Sequence, residues 1–208
     1  MLPDAAVYLS YLAAIALLMI TPGPDMMFVI ANAGRWGPRA GIVAALGVAV
    51  GEALHMSVAA LGLASVFAAN PVLYQVIRYA GAGYLLYLGV QVLRRRSRAS
   101  ADTGAGRSGL RSAFVRGMVT NVLNPKMALF SLAFLPQFID PAQGNVAGQL
   151  LILGCTFVLL QIAVDIGLGV AAGRLGDRFL RRPKVVRRVN TVTGAVFLAL
   201  GARLAAFG

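Results

Sequence analysis

The chain has 208 residues, 59% of them hydrophobic, and a mean hydropathy of +0.77, which is too apolar for a soluble domain of this length. A formal net charge of +12 would raise the question of nucleic acid in a soluble protein. Here the basic residues fall between apolar segments instead of along one face, and no nucleic-acid partner is implied. A single cysteine, Cys155, excludes an internal disulfide and a Cys-x-x-Cys redox pair.

The N-terminus, Met1-Leu2-Pro3-Asp4, has no basic leader region, and the apolar run after it passes into a polar break instead of a small-residue cleavage site. It is therefore expected to be mature protein. A span needs roughly 20 apolar residues to cross about 30 Å of hydrocarbon. Six segments qualify, approximately Ala5 to Asn32, Gly41 to Ala69, Val72 to Leu93, Ala113 to Ile139, Val146 to Gly173 and Val189 to Phe207. The first is interrupted by Thr21-Pro22-Gly23-Pro24-Asp25 and the fourth by Asn124-Pro125-Lys126. Helix breakers and a formal charge are tolerated at such depth only where the freed backbone groups face protein or a wet cavity. Broken helices of this kind mark binding sites in transporters. The expected fold is an all-α integral membrane protein with six transmembrane helices.

Charge alternates between the connections. Arg35 and Arg39 lie in the first, Arg94 to Arg116 in or beside the third, and Arg174 to Arg188 in the fifth, whereas the second and fourth carry no basic residue. The positive-inside rule makes the odd connections cytoplasmic and places both termini on the other side. The Arg94 to Arg111 stretch reads as a linker, so a single domain 1–208 divides into a three-helix half at 1–93, a basic linker at 94–112 and a second half at 113–208. Gly23-Pro-Asp-Met26 resembles Asn124-Pro-Lys-Met127, each in the first span of its half. Three spans per half force opposite orientations, so a 3+3 inverted repeat with broken helices 1 and 4 follows if that match is genuine.

Counted from the cytoplasmic edge, Asp25, Glu52, Lys126 and Asp165 each lie 9 to 11 residues deep. That is about 13 to 17 Å at 1.5 Å per residue, near the middle of the membrane. Each such charge costs roughly 2.5 to 3.5 kcal/mol on insertion scales, so the four are expected to face inward. His55 follows Glu52 by one turn and Gln161 precedes Asp165 by one turn, while Gly47 and Gly51 allow close approach of another backbone. Structural roles remain open at this point: Asp25 as a helix-start residue, Lys126 as a neutralising charge between halves, Glu52 with His55 as an interhelical clip. One histidine, one cysteine and dispersed carboxylates make no recognisable metal site, and no cofactor is implied.

The sequence resembles the LysE superfamily, specifically amino-acid exporters of the homoserine/threonine resistance (RhtB) type. The resemblance is carried by Thr21-Pro-Gly-Pro-Asp25, by Gly34-Arg-Trp-Gly-Pro-Arg-Ala-Gly41 leading into Leu46-Gly-Val-Ala-Val-Gly-Glu-Ala-Leu-His55, and by Asn121-Val-Leu-Asn-Pro-Lys126 followed by Phe134-Leu-Pro-Gln-Phe138. It implies a multi-pass exporter of amino acids or related metabolites in a bacterial plasma membrane, the inner membrane of a Gram-negative cell, with the proton as coupling ion. From the breaks and the charged layer, the candidate substrate-binding set is Thr21, Pro22, Gly23, Pro24, Asp25, Asn121, Asn124, Pro125 and Lys126, and the candidate proton-coupling set is Glu52, His55 and Asp165. On this reading a half-helix start at Pro24 and the Lys126 ammonium would take the solute carboxylate, and an acidic side chain its ammonium. A passive channel, an exporter of another small ion or metabolite, and a structural membrane subunit are the rival classes. An enzyme is not expected, because no nucleophile and base stand at a convincing spacing. Monomer and homodimer are both open.

Overall fold

The computed structural model describes residues 4–21, 23–69 and 109–175, with single positions between 72 and 90 and between 191 and 202. Pro22, the expected spans 72–93 and 189–207 apart from those single positions, and the linker up to residue 108 lie outside the described residues. All described secondary structure is helical.

Helix α1 covers Ala5–Ile20, and Asp4 caps it by accepting the Ala6 N–H at 2.9 Å. It stops because Thr21 precedes a proline. The residue before proline is driven out of the helical region, and Thr21 (φ −71°, ψ 118°) and Gly23 (φ −125°, ψ 176°) are both extended. Helix α2, Pro24–Trp36, then restarts with proline in its first turn, where a missing N–H is harmless. It ends at Gly37, whose φ of +85° belongs to the left-handed region that favours glycine. Helix α3 runs over Pro38–Ala69.

The second broken unit repeats this logic. Helix α4, Leu110–Val122, ends two residues before Asn124, which is extended ahead of Pro125 (φ −78°, ψ 107°) and caps the short helix α5, Pro125–Leu129. The chain continues as a π-helical turn at Phe130–Phe134 and 3-10 turns at Leu135–Phe138 and Pro141–Gln143 before helix α6, Val146–Leu175. The bends at the two breaks are nearly equal, 52° between Ala5–Ile20 and Pro24–Trp36 and 56° between Leu110–Val122 and Lys126–Phe138. Pro38–Gly62 and Val146–Arg174, with mean hydropathies of 1.8 and 2.2, are each long and apolar enough to cross a membrane. The described residues thus account for two spans, or four if each bent pair is one.

Packing differs between the two ends of the molecule. Towards Gly37 the helices touch backbone to backbone. A methyl group on Gly47 would collide with the Phe114 carbonyl, one on Gly117 would lie 2.5 Å from the Ala44 oxygen, and one on Gly41 would lie 3.0 Å from Gly169 Cα. Small residues such as Ala44, Ala45, Val48 and Ala113 complete that core. These contacts make α3 and α4 parallel and α3 and α6 antiparallel. Towards Asp140 the core is aromatic. Phe130 stacks on Phe134 and Phe157 at centroid distances of 4.8 and 4.6 Å, and Phe138 meets Phe134 and Tyr11 at 4.9 and 5.1 Å.

Candidate functional site

The two breaks are interlaced by side chains that reach from each to the other. Asp25, on the first turn of α2, makes no capping bond to its own helix; its Oδ2 accepts the Asn124 amide at 2.6 Å and the Asn121 amide at 3.1 Å, both from the second break. Asn124 at the same time accepts the Lys126 backbone N–H on its Oδ1 at 3.0 Å. In the opposite direction, the Lys126 ammonium donates to the carbonyls of Leu18 at 3.2 Å and Thr21 at 3.4 Å, at the C-terminal end of α1. A cation on the last carbonyls of a helix is also where the helix dipole favours it. The lysine stem lies over Gly23, where an added methyl would meet Cδ at 3.7 Å and Nζ at 3.6 Å. Asp25 thus holds the end of α4 while Lys126 holds the end of α1, an exchange between two breaks bent by similar angles.

Beside this exchange lies a set of buried oxygens. Glu52 and Asp165 are each 1% exposed, and neither carboxyl has a hydrogen-bond partner among the described residues. The same holds for Oδ1 of Asp25 and for Oδ1 of Asn121, whose residue is 0% exposed. A carboxylate only accepts, so the two asparagine amides must turn their nitrogens to Asp25, leaving the Asn121 oxygen directed over Gly51. Asp25, Glu52, Lys126 and Asp165 lie within electrostatic reach of one another. Gln161 stands near Asp165 but makes no hydrogen bond of ordinary geometry to its carboxyl. A buried acceptor without a partner costs about 1 to 3 kcal/mol. Six such atoms from four helices are an arrangement that packing alone would not retain, and its chemical capacity is for protons or hydrogen-bond donors.

The profile of the LysE type translocator family matches residues 16–208. The chain belongs to that family. It is 31% identical over 202 residues to an uncharacterized membrane protein of Vibrio cholerae serotype O1, covering 97% of this chain and 98% of the relative. It is 32% identical to the uncharacterized membrane protein YrhP of Bacillus subtilis, covering 93% and 95%. It is also 31% identical over 203 residues to the leucine efflux protein of Salmonella choleraesuis, covering 95% and 94%. No solved structure matches.

Several residues singled out by sequence in this LysE type translocator are close together, but not in the pairing their charges suggest. Asp25, Asn121, Asn124 and Lys126 are linked by hydrogen bonds, yet Lys126 engages main-chain carbonyls and Asp25 engages amides. His55 does form an interhelical bond, donating from Nε2 to the Asn121 carbonyl at 3.2 Å, whereas Glu52 takes no part in it. Thr21 is buried and contributes its carbonyl; Gly23 and Pro24 contribute backbone, as does Pro125. Gln149 escaped sequence reading. It is 2% exposed and supports the irregular chain before α6, accepting the Asp140 N–H at 3.0 Å and donating to the carbonyls of Asp140 and Gly144, both at 2.9 Å. Its only sequence signal was a polar residue near the start of an apolar run.

Proposed function

We propose that this LysE type translocator is a secondary active exporter of amino acids or closely related metabolites, with protons moving in exchange. The observation that carries the reading is the group of unpartnered buried carboxyls, Glu52, Asp165 and the free edge of Asp25, beside two interlaced helix breaks. Such a group can alternate between protons and an amine-bearing solute, as exchange requires. The leucine efflux protein among its relatives supports amino acids as the solute class.

On this reading the chain has six spans in a 3+3 inverted repeat within a bacterial plasma membrane. Support comes from the similar bends of 52° and 56°, from the reciprocal reach of Asp25 and Lys126, and from the parallel run of α3 and α4, which calls for a crossing between them. Arg35 and Arg39 flank Gly37, so the glycine-packed end faces the cytoplasm and the Asp140 end, with both termini, faces outward. Asp25, Asn121, Asn124 and Lys126 shape the binding region, with Thr21, Gly23, Pro24 and Pro125 supplying its backbone; Glu52 and Asp165 carry the proton, and His55 belongs to the same layer.

The test is efflux from proteoliposomes loaded with labelled amino acids under an imposed proton gradient. Wild-type protein is expected to move at least one of them against its concentration gradient, and Glu52→Gln or Asp25→Asn to lose that movement while remaining folded and reconstituted. Movement only down the gradient would assign a passive pore instead. Unchanged uphill transport in both variants would remove these carboxyls from the mechanism.

A further inference from the structure

We propose that the buried layer recognises its solute through one pole only, a primary ammonium group, and that the solute carboxyl is not a recognition element. This deepens the exporter reading and rests on it for the location of the solute.

The case is a census of donors and acceptors. Each of these donor nitrogens at the breaks already holds a bond within the protein: the amides of Asn121 and Asn124 on Asp25 Oδ2, the Lys126 ammonium on the carbonyls of Leu18 and Thr21, and His55 Nε2 on the carbonyl of Asn121. Among the described residues, the buried side-chain atoms without a partner are all oxygens: Oδ1 of Asp25, both carboxyl oxygens of Glu52 and of Asp165, and Oδ1 of Asn121. A carboxylate brought into this layer would meet unengaged acceptors and would have to share donor nitrogens that already hold bonds within the protein. The first turn of α2 does offer backbone amides, but Asp25 stands on that turn with a free oxygen, so an anion there would face another carboxyl. An ammonium group carries three N–H donors around one nitrogen and no acceptor, which complements the unengaged set. Charge points the same way, since three carboxyls face one lysine that is already committed to α1. A bare metal ion fits less well, because no group of three or more His, Cys, Asp or Glu among the described residues is close enough to hold one.

The proposal predicts which solute analogues occupy the site. Purified full-length protein in liposomes is treated with dicyclohexylcarbodiimide, and modification of Glu52 and Asp165 is followed by mass spectrometry in the presence of leucine, leucinamide, 3-methylbutylamine or N-acetylleucine. Leucinamide and 3-methylbutylamine, which keep the amine and lack a free carboxylate, are expected to reduce labelling of at least one carboxyl about threefold or more, as leucine does. N-acetylleucine, which keeps the carboxylate and lacks the amine, should leave labelling within about 1.5-fold of the control. Protection by N-acetylleucine equal to that by leucine, protection by leucine alone, or protection by none of the four overturns the proposal. The exporter reading is judged separately by efflux of labelled amino acids from the same liposomes. Protection by the amines without uphill efflux would remove the exporter and leave an amine site, whereas uphill efflux with protection by N-acetylleucine would do the reverse.

Discussion

The two ends of this translocator solve the same packing problem with opposite materials. Near Gly37, helices α2, α3, α4 and α6 meet through glycine and alanine, so main-chain atoms of one helix lie directly on those of the next. Near Asp140, Tyr11, Phe130, Phe134, Phe138 and Phe157 fill the space with rings, and the backbone over 130–138 leaves the regular α-helix for π and 3-10 turns. A backbone contact cannot adjust to an added atom, whereas a ring can rotate or be exchanged for a similar volume. The end built from small side chains is therefore the less tolerant of change. The charged layer sits where the two kinds of packing meet, with Gly51 against Asn121 on one side and Met127 and Phe130 on the other.

The sharpest way to break this contrast is to substitute one residue in each region. Gly47→Leu places a side chain where the Phe114 carbonyl already lies, and is expected to abolish recovery of monodisperse protein in detergent. Phe134→Leu keeps an apolar side chain in the aromatic cluster, and should lower stability by about 1 to 2 kcal/mol with the fold intact. Thermal unfolding of both variants measures this; equal yields, or a larger loss from Phe134→Leu, would reverse the ranking. A milder internal control is Gly167→Ala, whose added methyl meets nothing among the described residues and should be close to neutral.

At the boundary, Asn124 separates capping from site geometry. Aspartate is as good a helix cap as asparagine, so a residue that only capped α5 could be exchanged without loss. Here the Asn124 amide is also 2.6 Å from Asp25 Oδ2, and Asn124→Asp would set two carboxyls against each other. Asn124→Asp is expected to impair stability and uphill efflux more than Asn124→Ser, although its capping is no worse. The reverse order would mean that the bond to Asp25 contributes little. A smaller gain in resolution comes from the exchange Asp25→Lys with Lys126→Asp. Direct partners would recover activity in the double variant. These two residues contact amides and carbonyls respectively, so the double variant should be no more active than either single one, and substantial rescue would contradict the observed contacts.

The helices and both breaks were legible because proline, glycine and a buried charge leave a mark in any window of apolar sequence. The starts at Pro24 and Pro125, and the extent of α6, follow from that mark. Close approach at Gly47 and Gly51 was legible too, since two small residues one turn apart have few other uses in an apolar helix. What sequence could not give was the direction of each polar side chain. Asp25 and Lys126 are of opposite charge at similar depth, and depth alone suggests a salt bridge. The actual partners depend on how two proline breaks, about a hundred residues apart, set carbonyls and amides within reach. The π turn at Phe130–Phe134 was likewise silent, because its residues read as an ordinary apolar helix.

Tyr11 offers the finest test of how the aromatic end is held. Its ring is fully buried against Phe138, and its hydroxyl donates to the Leu153 carbonyl at 2.7 Å, linking α1 to α6. Nearby, Tyr8 makes a parallel contact with the Thr156 hydroxyl at 2.9 Å, but it is only partly buried. Removing one hydroxyl from each separates a buried tie from one nearer the surface. Tyr11→Phe keeps every ring contact and should lower stability by about 1 kcal/mol, the usual worth of a buried neutral hydrogen bond. Tyr8→Phe should cost less, because water or lipid headgroups can replace a bond nearer the surface. Unfolding midpoints measured side by side decide the matter. If Tyr8→Phe proves the more damaging, the end of α1 nearest Asp4 rather than the ring cluster is what secures α1 to α6, and the outer region owes less to its aromatic core than the packing indicates.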